Sequence, residues 1–247
     1  MDGAADVALN LVMLGPPGAG KGTQAERFAS EHGIPKVSTG DILREAVHGA
    51  TPLGEKVKAV MERGELVGDD LMIGIVRERL TRPDALAGFV LDGFPRTAAQ
   101  ATALDEITAS RGPVICIEIQ VPDEELVRRV RGRRVCDDCG ANADAFEHLP
   151  GALTALCQNT DRCRSVGPKW VARSDDSELV VRERLKVYWR DTRPMIEYYS
   201  ARPTFRAIDG KQPPEQVREA LVAAVASALG KPASQLRSLA KNVGLQA

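Results

Sequence analysis

The stretch Gly15-Pro-Pro-Gly18-Ala-Gly20-Lys21-Gly22-Thr23 follows the apolar run 9–14 and leads into the helical pattern 21–31. Strand, glycine-rich turn, lysine and helix in that order put a row of backbone N–H groups and a helix N-terminus around one point. Such a point binds phosphate, because unpaired amides and the positive end of the helix dipole both face the anion. The amides of Gly18, Ala19, Gly20, Lys21, Gly22 and Thr23 would form the cradle. Lys21 adds a full charge that reaches the β/γ-phosphates, and Thr23 offers a hydroxyl near a metal. Gly22 intervenes between the lysine and the hydroxyl residue, where the usual phosphate-loop pattern has them adjacent. A glycine turn that binds nothing is the bland alternative; the pattern as a whole predicts a site for a nucleoside triphosphate.

The rest of the chain has the rhythm that such a loop needs. Strand-like runs at 9–14, 36–38, 89–92, 114–121 and 204–208 alternate with helix-period stretches at 21–31, 54–63, 69–80, 97–109, 122–131, 175–199 and 213–229. This alternation predicts an α/β fold, a parallel sheet flanked by helices on both faces. Two segments interrupt it. Residues 39–68 read as a helical insertion, and residues 132–170, with four cysteines and several Gly and Pro, as a lid-like insertion. The core is then 1–38, 69–131 and 171–229. The tail 230–247 is weakly amphipathic and carries no evident role.

Two further clusters bear on chemistry. In Gly88-Phe-Val-Leu-Asp92-Gly93-Phe94-Pro95-Arg96 an apolar run ends in an acid. Strand carboxyl ends line the ligand crevice of a parallel sheet. Asp92 would thus sit beside the phosphate loop, where a carboxylate holds Mg²⁺ or its water shell. Gly93 leaves room for a ligand against the backbone, and Arg96 supplies a two-pronged phosphate fork. A strand-end Asp capping the next helix is the plain alternative. In Ser38-Thr39-Gly40-Asp41-Ile-Leu-Arg44, the first four are helix-start residues, while Thr39 and Arg44 could grip a second small anion. Two arginine-bearing clusters beyond one phosphate loop imply a second phosphorylated substrate.

GPPGAGKGT at 15–23, STGDILR at 38–44 and LDGFPRT at 91–97, in this order and spacing, resemble the adenylate kinases among the nucleoside-monophosphate kinases. Arg129 to Arg134, Arg173 to Asp176 and Arg182 to Arg184 are similar to that family's later arginine motifs, and the resemblance runs from about residue 9 to 229. It implies the Mg²⁺-dependent reaction ATP + AMP ⇌ 2 ADP. The phosphate-loop amides and Lys21 would hold the ATP phosphates, and Asp92, helped by Asp41, would organise the Mg²⁺ shell. Arg44 and Arg96 would orient the AMP phosphate, and Arg133, Arg173 and Arg184 would close over the transferring group. Thr39, the Glu65-Leu66-Val67 backbone, the Gly93-Phe94-Pro95 turn and Gln100 would surround AMP. Arg129 and the Gln212 backbone would flank the ATP base. Gln100 favours adenine, because pyrimidine-preferring relatives typically carry Asn there. At Asn142-Ala143 relatives often have a hydroxyl or aromatic residue contacting ATP, which puts that contact in doubt. No protein nucleophile is implied, since the AMP phosphate is already anionic at pH 7.

Of the five cysteines, Cys116 lies in a strand-like run and reads as a small buried hydrophobe. Cys136, Cys139, Cys157 and Cys163 fall together. In a reducing cytosol such a cluster reads as a zinc site rather than disulfides. The first half, C-x2-C-G, is regular; the second, C-x5-C, is not, so Asp161 or His148 could replace Cys163 as fourth ligand. A closed four-ligand site would hold the insertion together and do no chemistry.

Net charge is −1, so no bulk field favours nucleic acid. Yet 24 of the 33 basic residues are arginine, a skew that suits phosphate handling and equally a high-GC genome. No apolar run of membrane-spanning length and no signal peptide are evident, so a cytoplasmic protein acting on small molecules is expected, and the family resemblance implies a monomer. The competing readings are a GTP:AMP phosphotransferase, a pyrimidine-monophosphate kinase and, from another class, a non-enzymatic zinc-ribbon and phosphate-loop switch.

Overall fold

The structure, a computed structural model, describes residues 8–138, 142–144, 161–167, 169–173 and 175–239. Five parallel strands form the central sheet: β1 (Leu9–Leu14), β2 (Lys36–Ser38), β3 (Gly88–Asp92), β4 (Val114–Gln120) and β8 (Phe205–Asp209). Their spatial order is β2-β3-β1-β4-β8. All six residues of β1 are buried, as expected of a central parallel strand covered on both faces. Successive side chains serve opposite faces. Leu9, Leu11 and Met13, with Ile115, Ile117 and Ile119, enter one core; Val12 and Leu14, with Phe89, Leu91 and Cys116, enter the other. Cys116 is indeed a buried hydrophobe, and burial pushes its thiol up to about 12.

The helices follow the sheet in alternation. They are α1 (Lys21–His32), α2 (Thr39–His48), α3 (Pro52–Glu62), α4 (Asp69–Leu80), α5 (Ala98–Thr108) and α6 (Asp123–Gly132). Ser38 caps α2 by accepting from the Asp41 N–H, and Thr51 caps α3 by accepting from Gly54. Helix α3 starts two residues before the expected 54 because Pro52 suits a first helical turn.

After α6 a second, three-stranded antiparallel sheet forms, in the order β6-β5-β7. Its strands are β5 (Arg133–Cys136), β6 (Asn142–Asp144) and β7 (Trp170–Val171), with the short helix α7 (Asp161–Ser165) beside them. The sequence pattern did not predict these strands; each is four residues or fewer, too short for a period to show.

Beyond it the expected single helix 175–199 is corrected. Helix α8 (Glu178–Val187) gives way to a π-turn over Tyr188–Thr192, and α9 (Arg193–Ser200) resumes. Pro194 explains the break, because it has no N–H to donate and its ring crowds the preceding turn. The long helix α10 (Pro214–Leu229) closes on Gly230 in the left-handed conformation. The segment that carried no evident role then forms α11 (Ala233–Leu239), which packs on α1 and α10 through the fully buried Leu236. Among the described residues no helix is long and apolar enough to cross a membrane.

Candidate active site

The carboxyl ends of β1 to β4 open on one crevice, and the glycine loop leaves β1 for α1 within it. A Cβ on Gly15, at φ 134°, would fall 2.5 Å from the Ile119 carbonyl oxygen, so only glycine lets the loop peel away beside β4. Lys21 folds back across this loop, its Nζ donating to the carbonyls of Gly15 (2.8 Å) and Pro16 (2.9 Å). Gly22 has its own reason. A Cβ there would stand 3.2 Å from Asp92 Oδ2, so the missing side chain lets the first turn of α1 close on the β3 carboxylate. Thr23 is exposed on the same turn.

Arginines reach the crevice from four elements. Arg44 Nη2 donates to Asp41 Oδ1 at 2.5 Å, and its Nη1 lies 3.7 Å from Asp175. Arg96 Nε donates to the Gly93 carbonyl at 2.8 Å. Arg133 makes a two-pronged pair with Asp176, Nε to Oδ2 being 2.7 Å, and Arg184 Nη1 donates to Asp175 Oδ2 at 2.9 Å. The two acids therefore hold arginines in place. The cap of the following helix is Ser177, whose side chain accepts from the Val180 N–H.

Electrostatics follows from this crowding. Burial pushes the Lys21 ammonium down to about 8, with Arg96, Arg184 and Arg133 adding to the shift and Asp92 opposing it. Burial and then Arg184 bring Arg96 to about 10; burial and then Arg133 and Arg44 do the same to Arg173. Burial would raise the Asp41 carboxyl, but Arg44, Ser38 and Lys36 outweigh it and hold it at about 2. Asp41 is thus committed to Arg44 and Lys36. Half-buried cations that repel one another suit an anion of several charges, which removes the repulsion and the desolvation cost together.

Beside the loop a cleft of about 580 Å³ is lined by Thr39, Arg44, Glu65, Leu66, Val67, Gly93, Arg96, Gln100 and Arg184, all singled out in the sequence. Pro95 lines an adjoining space of about 520 Å³ with Lys21, Arg96 and Arg184, whereas Phe94 is buried in the core. The sequence reading missed Leu43, Met61 and Met72, an apolar wall suited to a flat ring. Leu43 could have been found, since it stands at i+4 from Thr39 on one helix face. The two methionines had no local signal, because they meet only when separate helices pack. Arg129 Nη1 donates to the Gly210 carbonyl at 2.9 Å, which brings it beside the loop carrying Gln212.

This arrangement of loop, arginines and cleft coincides with a family model named Adenylate kinase, which matches residues 13–204. The chain belongs to the adenylate kinase family. It is 48% identical over 211 residues to an adenylate kinase from Archaeoglobus fulgidus, covering 85% of this chain and 94% of that one. An adenylate kinase from Kosmotoga olearia is 46% identical over 213 residues (85% and 96%), and one from Lachnospira eligens 42% over 216 residues (87% and 98%). The chain is accordingly a nucleoside-monophosphate kinase, and the non-enzymatic switch drops out.

Two of the four cysteines that follow Arg134 lie in the second sheet and the short helix beside it. Cys136 and Cys163 are buried thiols, Sγ to Sγ 3.6 Å, and Asp138 Oδ2 lies 3.3 Å from Cys163 Sγ. Asp161, the alternative fourth ligand, is fully exposed and paired with Arg164, so the fold does not bring it to the cysteines. Cys139, Cys157 and His148 lie outside the described residues. Among the described residues no three His, Cys, Asp or Glu side chains gather as a metal site. Asn142 and Ala143 pair with Val135 and Arg134 as strand β6.

Proposed function

We propose that the chain catalyses reversible phosphoryl transfer, ATP + AMP ⇌ 2 ADP, with the phosphate loop holding the donor and the 580 Å³ cleft holding AMP. One observation carries this reading: the loop lysine, the cleft and a set of half-buried arginines share a single crevice. Phosphoryl transfer needs two phosphates in line, their repulsion neutralised and water kept out. Lys21 and the loop amides bind the donor phosphates. Arg44 and Arg96 orient the acceptor phosphate. Arg133, Arg173 and Arg184 stabilise charge spread over the equatorial oxygens, with Asp175 and Asp176 fixing their forks. Asp92 is a hard oxygen donor next to the α1 N-terminus and would hold the magnesium ion or its water shell. That ion, when bound with ATP, would neutralise charge on the donor phosphates. Arg129 and the Gln212 backbone flank the donor base.

The segments 39–68 and 132–170 act as AMP-binding and lid insertions on a core of 1–38, 69–131 and 171–229, with 230–247 as an extension. A structural zinc in the lid is supported by the Cys136–Cys163 separation of 3.6 Å. Tetrahedral thiolates about 2.3 Å from zinc stand about 3.8 Å apart. Cys139 and Cys157 would complete the set. A cytoplasmic monomer belongs to this reading, and thiols that ligate a metal need a reducing compartment.

The test is a coupled assay with ATP·Mg²⁺ against AMP, GMP, CMP and UMP, repeated with GTP as donor. ADP formation with AMP alone, and mainly from ATP, is the expected result. Another preferred acceptor or GTP as donor overturns the base assignments, and no transfer at all overturns the function.

A further inference from the structure

Gln100 is 2% exposed and its amide is held from both ends. Nε2 donates to Asp69 Oδ1 at 2.8 Å, and Oε1 accepts from the Arg96 N–H at 2.8 Å. The other Asp69 oxygen accepts from the Thr97 hydroxyl at 3.0 Å, which ties the carboxylate to the start of α5. An ionised carboxylate only accepts and a backbone N–H only donates, so the amide has one allowed orientation. These contacts use one of its two N–H groups and one of its two lone pairs. One N–H and one lone pair are left over, and Gln100 helps to line the cleft.

Adenine carries an N6–H₂ donor where guanine carries an O6 acceptor. An amide free to turn over satisfies either base by exchanging its ends. One pinned in a single orientation matches the first and opposes the second. We propose that Asp69 is a specificity-determining positioning residue that pins the Gln100 amide in the orientation that suits adenine and rejects guanine. The inference deepens the proposed function and rests on the cleft being the AMP site. Asp69 is the first residue of α4, whereas Gln100 lies in α5, so the pin exists only because the two helices pack side by side.

The decisive experiment is steady-state kinetics of Asp69→Asn, Gln100→Ala and the double variant, with AMP and GMP as acceptors at saturating ATP·Mg²⁺. Asparagine keeps the shape at 69 but can donate as well as accept, so the pin at Nε2 loses its sign and only the Arg96 N–H still orients the amide. We expect the kcat/KM ratio of GMP to AMP to rise about tenfold in Asp69→Asn, through KM for AMP, while KM for ATP stays put. Asp69→Glu, which keeps the charge, should retain part of the preference. In the Gln100→Ala background Asp69→Asn should change nothing further. If Gln100→Ala raises KM for AMP but Asp69→Asn leaves the ratio alone, the proposal is wrong and the AMP site stands. A ratio shift that persists without the Gln100 amide makes Asp69 a merely structural residue and overturns the proposal too. If Gln100→Ala leaves KM for AMP unmoved, the AMP-site reading fails and takes the proposal with it.

Discussion

Gly22 shows how one residue can look irregular by pattern and acquire its reason by contact. In the linear sequence it is an interruption between Lys21 and Thr23; in space it is the gap that admits the Asp92 carboxylate, 3.2 Å from where a Cβ would stand. Gly22→Ala therefore sets two effects against each other. Alanine suits a helix better than glycine by up to about 1 kcal/mol. The added methyl group displaces Asp92 by a few tenths of an ångström, and catalytic geometry tolerates little. We expect kcat to fall at least about tenfold while Tm does not fall, measured by the coupled assay and a thermal melt of one preparation. A fall in Tm with kcat preserved would show that Gly22 serves folding instead.

At the scale of elements, the lid insertion and the break in the helix 178–200 separate what is local from what is not. The break is local, because Pro194 enforces it wherever the chain goes. The β5–β6–β7 sheet is not. Its strands are brief and owe their pairing to partners distant in sequence, such as Cys136 with Trp170. Metal ligation is the means by which so small a sheet would gain stability, since its core consists of Cys136, Cys163 and Trp170 among the described residues. One zinc per chain should be released when a mercurial reagent titrates the thiols, as read by a metallochromic dye. Its removal should lower Tm of the whole chain by several degrees. A metal-free preparation with unchanged Tm and no zinc by elemental analysis would dispose of the site.

For the whole molecule, the half-buried cations of the crevice act together. The Lys21 ammonium, ordinarily near 10.5, is pushed down to about 8 when folded. The unfolded chain then binds more protons between those values, so this group costs stability fully below pH 8, and the cost is relieved as pH rises toward 10.5. A bound polyphosphate favours the charged lysine and restores its proton. Binding of ATP should therefore be accompanied by proton uptake above pH 8. Kd should be flat below that and about tenfold weaker at pH 9 than at pH 7. Calorimetry in buffers of different ionisation enthalpy measures the uptake, and Lys21→Met should abolish it. A pH-independent Kd in the unsubstituted protein would contradict the assignment of Lys21 to the donor phosphates.

Much of this protein was decided by residues close together in the chain. The phosphate loop, the caps of α2 and α3 and the alternation that makes a parallel sheet all depend on neighbours within a few positions, where steric and hydrogen-bonding rules act without long-range help. The arginine motifs were legible for the same reason: each sits beside a glycine or an acid that marks it. Tertiary structure alone decided what those groups meet. Asp175 and Asp176 face Arg184 and Arg133, Met61 and Met72 wall the cleft, Asp69 reaches Gln100 across two helices, and Leu236 docks the tail. Such contacts join segments tens of residues apart, and their free energy comes from burial and charge pairing that exist only once the sheet has brought those segments into register.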